Sequence, residues 1–328
     1  MEDPTLVFRR LMNYPQVCVI ILNWNGLEDT IECLESLKKV TYPNYEVVVV
    51  DNGSRGDDAE VLEEKFSGYI HLIRNDRNYG YTGGNNIGIQ YALNHSSPDY
   101  LLILNNDIVV APDFLGQMIK VAEDDTSIGI AGPKVYYYDV PDHIQSAGIM
   151  TSMRTGRSRV LGVKQIDTGQ FETQQEVDYV SGCCLLIKKE LIQKVGVFDE
   201  RYFCYCEERD YCIRAERAGY KTVYVPLAKI WHKKPMQEKM WQRTPQGGHT
   251  AALSYYYWAR NRFKFMRKHA TKKQYRSFLA YFFGYHFWLV NAVCLLYHRD
   301  VGQFVAFCRG VRDGILKSDS GAKRYTVD

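Results

Sequence analysis

Between residues 16 and 125 the sequence alternates continuous apolar runs with helical periodicity, and this alternation narrows the fold more than any other feature. "QVCVIILNW", "YEVVVVDNGS", "IHLIRN" and "YLLILNND" read as buried strands; "LEDTIECLESLKKV", "DAEVLEEKF", "NNIGIQYAL" and "DFLGQMIKVAED" separate or follow them as helices, with Pro112 placed to open the last. Strands that are apolar on both faces, joined by helices, predict a mostly parallel sheet covered on both sides.

In such a sheet ligands gather outside the carboxyl ends of the strands, beside a switch in strand order. Those ends are unusually polar here. The first apolar run closes on Asn23, Trp24, Asn25 and Gly26, the second on Asp51, Asn52, Gly53 and Ser54, and the fourth on Asn105, Asn106 and Asp107. Polar groups at the end of a central strand are costly unless something there needs them. Between the third and fourth runs, "NDRNYGYTGGNNIG" carries Gly80, Gly83, Gly84 and Gly88 ahead of an expected helix, so backbone amides could face an anion, although such loops are as often simple turns. A dinucleotide fingerprint would follow the first strand as G-x-G-x-x-G, and "NWNGLED" has one glycine there. A nucleotidyltransferase would need a glycine-rich loop with a basic residue at the same place, which is also missing.

From Lys134 to Val180 the periodicity loosens into expected further strands and variable loops, the usual seat of substrate specificity. "FCYCEERDYCIRAERAGY" then sets Glu207, Glu208 and Asp210 at the start of a helix that also carries Arg209 and Arg214. Acids are favoured at a helix N-terminus by its dipole, so any one of them has a structural reading. Three carboxylates in four residues after an aromatic run also suit a site in which one acts as a base. "VYVPLAKIWHKKP" brings His232 to another strand end.

Charge is segregated along the chain. From Arg260 onward fourteen Lys and Arg stand against four Asp, while the whole chain is only +3. Residues 278–297, "FLAYFFGYHFWLVNAVCLLY", contain no Asp, Glu, Lys or Arg, yet Gly284, His286, Asn291 and several tyrosines lower their apolar character. The length would cross a bilayer. The aromatic content and basic flanks favour a helix lying in the interface of an anionic membrane, with a span or a buried core helix as the other readings. No nucleic-acid module accompanies the charge, so nucleic acid is not expected as a partner. Nine cysteines, an odd number, with no C-x-x-C spacing in the cluster Cys183, Cys184, Cys204, Cys206 and Cys212, predict buried free thiols. The absence of a secretory leader at the start of the sequence adds to an expectation of a cytoplasmic protein, peripheral at the inner face of the membrane.

"VIILNWNG", "VVVVDNGS", "NYGYTGGNNIG", "LLILNND", "YVSGCCLLIKKELIQKVGVFDERYFCYCEERDYCIRAERAGY" and "VPLAKIWHK" together, in this order, resemble the inverting glycosyltransferases of family 2, in particular the rhamnosyltransferase-like branch; "SYYYWARNRFKFMRKH" and "RGVRDGILKSDSG" extend the likeness. The resemblance implies an α/β GT-A fold with a Rossmann-like sheet, a nucleotide-sugar donor, Mg²⁺ or Mn²⁺, and a glycan or lipid-linked acceptor. It implies an N-terminal arm over 1–15, a catalytic domain over 16–235, and a helical, membrane-associating extension over 236–328. By the same resemblance, Asp107 and His232 would hold the cation. Asn23, Asn25, Asp51 and Asn52 would border the nucleoside, and Gly83, Gly84, Asn85, Asn105 and Asn106 the sugar and diphosphate. In the acidic segment Glu208 takes the place of the general base, with Asp210 as second choice and Glu207 as a structural or acceptor-binding acid. Asn105 and Asn106 replace acids seen in some relatives and Glu208 stands where they have Asp; the departures at Asn106 and Glu208 keep a catalytically silent nucleotide-sugar-binding protein or partner subunit as the alternative.

Overall fold

The computed structural model describes residues 14–233 and 249–316; most of the expected N-terminal arm, the segment 234–248 and the end of the chain lie outside them. β1 (Val17–Asn23) is completely buried from Val17 to Ile21, and only a strand with partners on both edges and helices on both faces hides five consecutive apolar side chains. It is followed by α1 (Leu27–Leu37), β2 (Tyr45–Asp51), α2 (Asp58–Lys65), β3 (Ile70–Arg74), α3 (Gly80–His95), β4 (Tyr100–Asn105), β5 (Ile108–Val110) and α4 (Phe114–Asp124). The last helix starts later than the sequence suggests: Asp113 is its N-cap and Pro112 lies outside, its carbonyl taken by the Thr41 amide at 2.8 Å.

β3, β2, β1 and β4 lie side by side in that order, and all three pairings are parallel. The order reverses between β1 and β4, which makes their carboxyl ends the switch point. The remaining strands are β6 (Ile128–Tyr137), β7 (His143–Ser146), β8 (Ile149–Ser152), β9 (Arg157–Val160), β10 (Gln165–Ile166), β11 (Gln175–Glu176), β12 (Cys184–Lys188) and β13 (Lys221–His232). β12 runs antiparallel between β4 and β6; β13 runs parallel to β6 and, at its far end, antiparallel to β5. Two helices belong to this stretch, α5 (Lys189–Val195) and α6 (Glu207–Arg217). In the variable stretch the fully buried Lys134 holds Asp167 at 2.9 Å and Glu172 at 2.5 Å, which anchors a loop that has little regular structure.

The glycine-rich segment differs from its reading as a loop. Gly80, Gly83, Gly84 and Gly88 are all inside α3. A Cβ on Gly84 would lie 2.3 Å from Leu22 Cδ1, and one on Gly88 would lie 2.5 Å from Ile20 Cγ2. Gly84 and Gly88 therefore let the helix settle directly onto β1, while Gly83 makes room for Tyr79 and Gly80 supplies the left-handed backbone at the helix start.

The described residues fall into two compact units. One holds the chain through Met150 together with Val160–Phe198 and the stretch from Tyr211 to the end of β13. The other holds Thr151–Arg159, Asp199–Asp210 and the C-terminal helices: α7 (His249–His269), then one continuous helical stretch from Lys272 to His298, then α8 (Val301–Leu316). That stretch contains two π-helical segments, Phe282–His286 and Val293–His298. Its buried residues Phe282, His286, Val290 and Cys294 recur every four positions, a spacing that drifts around an ordinary α-helix and is kept on one face by the wider π turns. Phe282 packs on Phe263 of α7 and Phe307 of α8. All nine cysteines are free, and six are buried, as expected.

Candidate active site

At the switch point the polar strand ends form one hydrogen-bonded network. Asn23 is fully buried; its Nδ2 lies 2.8 Å from Asp51 Oδ1 and 3.0 Å from Asp58 Oδ2, and its Oδ1 accepts from Thr30 Oγ1 at 2.8 Å. Ser54 Oγ donates to Asp51 Oδ1 at 2.6 Å. Asn52 takes Asn75 Nδ2 and the Tyr79 amide on its Oδ1 and gives its Nδ2 to Asn78 and to the Gly80 carbonyl, so it ties the end of β2 to the start of α3. Asn106 Nδ2 donates to Thr30 Oγ1 at 2.9 Å, which links the end of β4 to that of β1. Asn25, in the left-handed region at φ 49°, accepts the Arg55 amide and presents an exposed edge with Trp24.

Asn23, Asp51 and Asn52 are thus arranged as a buried frame. Asn105 ends β4 with its backbone amide on the Cys183 carbonyl. Gly83 and Gly84 are buried in the helix start, while Asn85 gives Nδ2 to the Tyr81 carbonyl and keeps a buried Oδ1 without a hydrogen-bond partner.

Asp107 sits in the turn between β4 and β5, and His232 is the last residue of β13, whose register places it opposite Ile108. Sheet pairing alone therefore brings together two residues 125 positions apart. Asp107 Oδ1 lies 3.2 Å from His232 Nε2 and is buried without a hydrogen bond. His232 Nδ1 is 2.8 Å from Gln145 Oε1. An amide oxygen accepts, so the Nδ1 beside Gln145 Oε1 is a donor, and Nε2 is the ring atom turned toward the Asp107 carboxylate oxygen. Such a pair can close directly as a hydrogen-bonded ion pair or open around a shared cation, and in the second case Gln145 would be the outer partner that orients the imidazole. Among the described residues no group of three or more His, Cys, Asp and Glu is arranged to hold a metal ion. Two protein ligands suit Mg²⁺ or Mn²⁺ when phosphate oxygens and water complete the shell. Lys233 braces the same strand end: its amide donates to the Asp107 carbonyl at 3.0 Å and its ammonium pairs with Asp29 and Glu32 of α1.

The acidic turn belongs to the second unit and is built differently. Phe203, Tyr205 and Cys206 all have positive φ, at 68°, 68° and 71°. Each such residue costs roughly 1–3 kcal/mol and survives only where its surroundings overdetermine it. Here the surroundings are two adjacent side chains of α7. Asn261, fully buried, donates Nδ2 to the carbonyls of Tyr202, Cys204 and Tyr205 at 2.9, 2.6 and 2.9 Å. Arg260 donates Nε to Asn261 Oδ1 and Nη2 to the carbonyls of Arg201 and Tyr202. Phe203 stacks on Tyr257 and Tyr205 OH bonds Ser254. Sequence reading missed this clamp; its only trace was "SYYYWARNRFKF", a helix with polar residues, Arg260 and Asn261, among aromatics that face inward.

The held loop delivers Glu207 and Glu208 to the first turn of α6. Both have one carboxylate oxygen buried without a hydrogen-bond partner. Burial raises the pKa of Glu207 well above the usual carboxylate range, and the charge of Glu208 adds to the effect. Burial also raises Glu208, opposed by backbone amides and by the Arg209 guanidinium. Asp210 is different. It is fully buried, and its Oδ1 is approached by Lys268 Nζ at 2.6 Å, His269 Nε2 at 2.7 Å and Tyr202 OH at 3.2 Å. Such a carboxylate is committed to its partners Tyr202, Lys268 and His269.

The family model for "Glycosyl transferase family 2" matches residues 18–196, more than half of the chain. The chain belongs to glycosyl transferase family 2. It has the GT-A fold of that family: a mannosyltransferase from Pyrobaculum calidifontis, solved with GDP-Man and Mn²⁺, superposes with a TM-score of 0.54 at 16% identity, covering 94% of this chain and 81% of that one. Among curated relatives, the N-acetylglucosaminyl-diphospho-decaprenol L-rhamnosyltransferase of Mycobacterium tuberculosis is 27% identical over 217 residues, 61% of this chain and 70% of its own length. The protein y4gI of Sinorhizobium fredii is 30% identical over 233 residues, 66% of this chain but only 24% of its own length, so the chain spans about a quarter of that relative.

Proposed function

We propose that this family 2 chain moves a sugar from a nucleoside-diphosphate donor to a hydroxyl of a glycan or lipid-linked acceptor, with inversion and with a divalent cation. The observation that carries the reading is the Asp107–His232 pair, Oδ1 and Nε2 3.2 Å apart at the switch point of a GT-A sheet. A Mg²⁺ or Mn²⁺ ion held there would neutralise charge on the departing diphosphate. Asn25 and Trp24 form the open edge for the nucleoside, on the frame that Asn23, Asp51 and Asn52 hold rigid. Asn85, with its free Oδ1, and Asn105 and Asn106 line the sugar and diphosphate side, and Gly83 and Gly84 let α3 approach.

Glu208 is the general base. It removes the acceptor hydroxyl proton as that oxygen attacks the anomeric carbon from the face opposite the diphosphate, and burial suits it by making the carboxylate more basic. The three donors on Asp210 weigh against it in that role. Glu207 orders the same turn. dTDP-rhamnose is the first donor to test, since the mycobacterial relative is named a rhamnosyltransferase.

The same reading places the enzyme on the cytoplasmic face of a membrane. The helix Lys272–His298 is long and apolar enough to cross a bilayer by composition, and only 28% of its most apolar 18 residues are buried. Its inner stripe packs on α7 and α8, while Phe283, Tyr285, Trp288, Leu289, Leu296 and Tyr297 are exposed. A helix apolar on both faces, one already packed against protein, suits an interfacial position better than a span. The test is turnover: purified chain with Mn²⁺, a panel of UDP-, dTDP- and GDP-sugars and a prenyl-diphosphate-linked sugar acceptor should release nucleoside diphosphate from one donor. Binding of a donor without release would instead mark a silent nucleotide-sugar binder.

A further inference from the structure

Arg209 and Arg262 are both 4% exposed, and neither forms an ion pair among the described residues. Arg209 donates Nη1 to the Gly156 carbonyl at 3.2 Å; its Nε and Nη2 are buried and have no hydrogen-bond partner. Arg262 donates Nε to the same carbonyl oxygen at 3.2 Å and Nη2 to the Thr155 carbonyl at 2.8 Å. Sharing one oxygen keeps these two guanidinium donors within twice that first distance of each other. Arg157, next along the β8–β9 hairpin, is exposed and reaches Tyr281 OH at 3.4 Å. Burial lowers the Arg262 pKa to about 10; nearby Tyr281 opposes the shift, while the charges of Arg209 and Arg157 add to it.

Bringing like charges together in an apolar setting is unfavourable, and the Glu208 carboxylate, whose charge Arg209 feels, leaves Nε and Nη2 of Arg209 without a hydrogen bond. The face of Phe265, 3.9 Å from the Arg209 guanidinium, and that of Trp258, 5.5 Å from Arg262, compensate in part. They do not satisfy Nε and Nη2 of Arg209. A planar fork of donors with two positions open is suited to a phosphate oxygen pair. We infer that Arg209, Arg262 and Arg157 form a site for a phosphate or diphosphate group of the acceptor, one residue along the chain from the proposed base Glu208. This rests on the transferase reading above. The site would orient the acceptor by its anionic group and leave its hydroxyl to Glu208, and the exposed Arg157 is the edge from which the group enters.

The test is calorimetric titration of the full chain in EDTA, which silences any cation-dependent donor site, with inorganic pyrophosphate in one arm and farnesyl diphosphate in the other. Saturable binding of farnesyl diphosphate alone supports the site with a lipid-borne group as its ligand; equal binding of pyrophosphate supports it with a soluble one. Arg209→Gln should weaken binding at least tenfold and Arg157→Gln at least threefold, while Asp107→Ala should leave it unchanged. Arg157 is exposed, so its variant remains informative if Arg209→Gln fails to fold. Absence of binding to both probes, or wild-type affinity in Arg157→Gln, overturns the proposal. A parallel titration of nucleoside diphosphates with Mn²⁺ separates the two readings: if that fails while the EDTA result holds, the transferase assignment falls and the anion site stands.

Discussion

The strand ends of the first unit and the acidic turn of the second both collect polar groups in apolar surroundings, and they solve that problem in opposite ways. At the strand ends most buried polar atoms have a partner: Asn23, Asp51 and Thr30 satisfy one another, and Asn52 is satisfied by Asn75, Asn78, Tyr79 and Gly80. At the acidic turn the backbone is strained at three positions, and Glu207, Glu208 and Arg209 keep buried atoms unpaired. The first is a frame that positions; the second stores unfavourable energy where a proton is to move. Reactive groups are thus expected among the unsatisfied atoms, and the saturated ones should matter chiefly for shape.

The largest effect expected from that contrast is at Glu208. Glu208→Gln keeps the shape and removes the base, so transfer should fall about 10²–10⁴-fold with donor affinity intact. A rate within tenfold of wild type in a turnover assay would move the base elsewhere. Asp210→Asn, by contrast, should lower the melting temperature more than it lowers the rate per folded molecule.

Gln145→Leu comes next. Losing the group that orients His232 should weaken Mn²⁺ affinity about 10–100-fold, read by titration of the ion in the presence of nucleoside diphosphate. Unchanged affinity would mean that His232 does not bind the cation.

Asn261→Ala leaves three carbonyls without their shared donor and should cost about 1–3 kcal/mol in denaturant unfolding. It should also lower kcat while leaving nucleotide binding alone, because the clamp serves only the acidic turn. Gly84→Ala, on the frame, should give the reverse pattern: a cost of about 1–3 kcal/mol from overpacking against Leu22, with weaker donor binding and an unaltered acidic limb of the pH profile.

The pH dependence is the smallest effect. Folding raises the pKa values of Glu207 and Glu208, so the stability they contribute is fully present below the ordinary glutamate value and is lost as pH rises through the raised ones. Glu207→Gln should flatten that loss in melting temperature. The same shift should put the acidic limb of kcat/KM above the ordinary glutamate value, and Arg209→Gln should move it higher still, since Arg209 opposes the rise at Glu208.

The contrast also marks what the sequence could disclose. The parallel half of the sheet is legible because a strand buried on both faces must be continuously apolar, and the switch-point rule then picks out Asn23, Asp51 and Asp107 without further information. His232 is legible as a strand end, but its pairing with Asp107 is implied only by the family resemblance and not by any pattern in the residues, since it depends on β13 reaching β5. The glycines of α3 mislead because a residue absent for packing looks the same as one absent for a ligand. Asn261 and the open guanidinium of Arg209 were out of reach: each works through backbone carbonyls far away in sequence, and no spacing pattern encodes which carbonyl a side chain will find.

The central claim is best tested by isothermal titration of UDP, dTDP and GDP, each with and without Mn²⁺, into the wild-type chain, Asp107→Ala and Glu208→Gln. One nucleotide should bind the wild type only with Mn²⁺, lose that binding in Asp107→Ala and keep it in Glu208→Gln. Binding that ignores Mn²⁺, or that survives intact in Asp107→Ala, would contradict the assignment of Asp107 and His232 to a cation-diphosphate site.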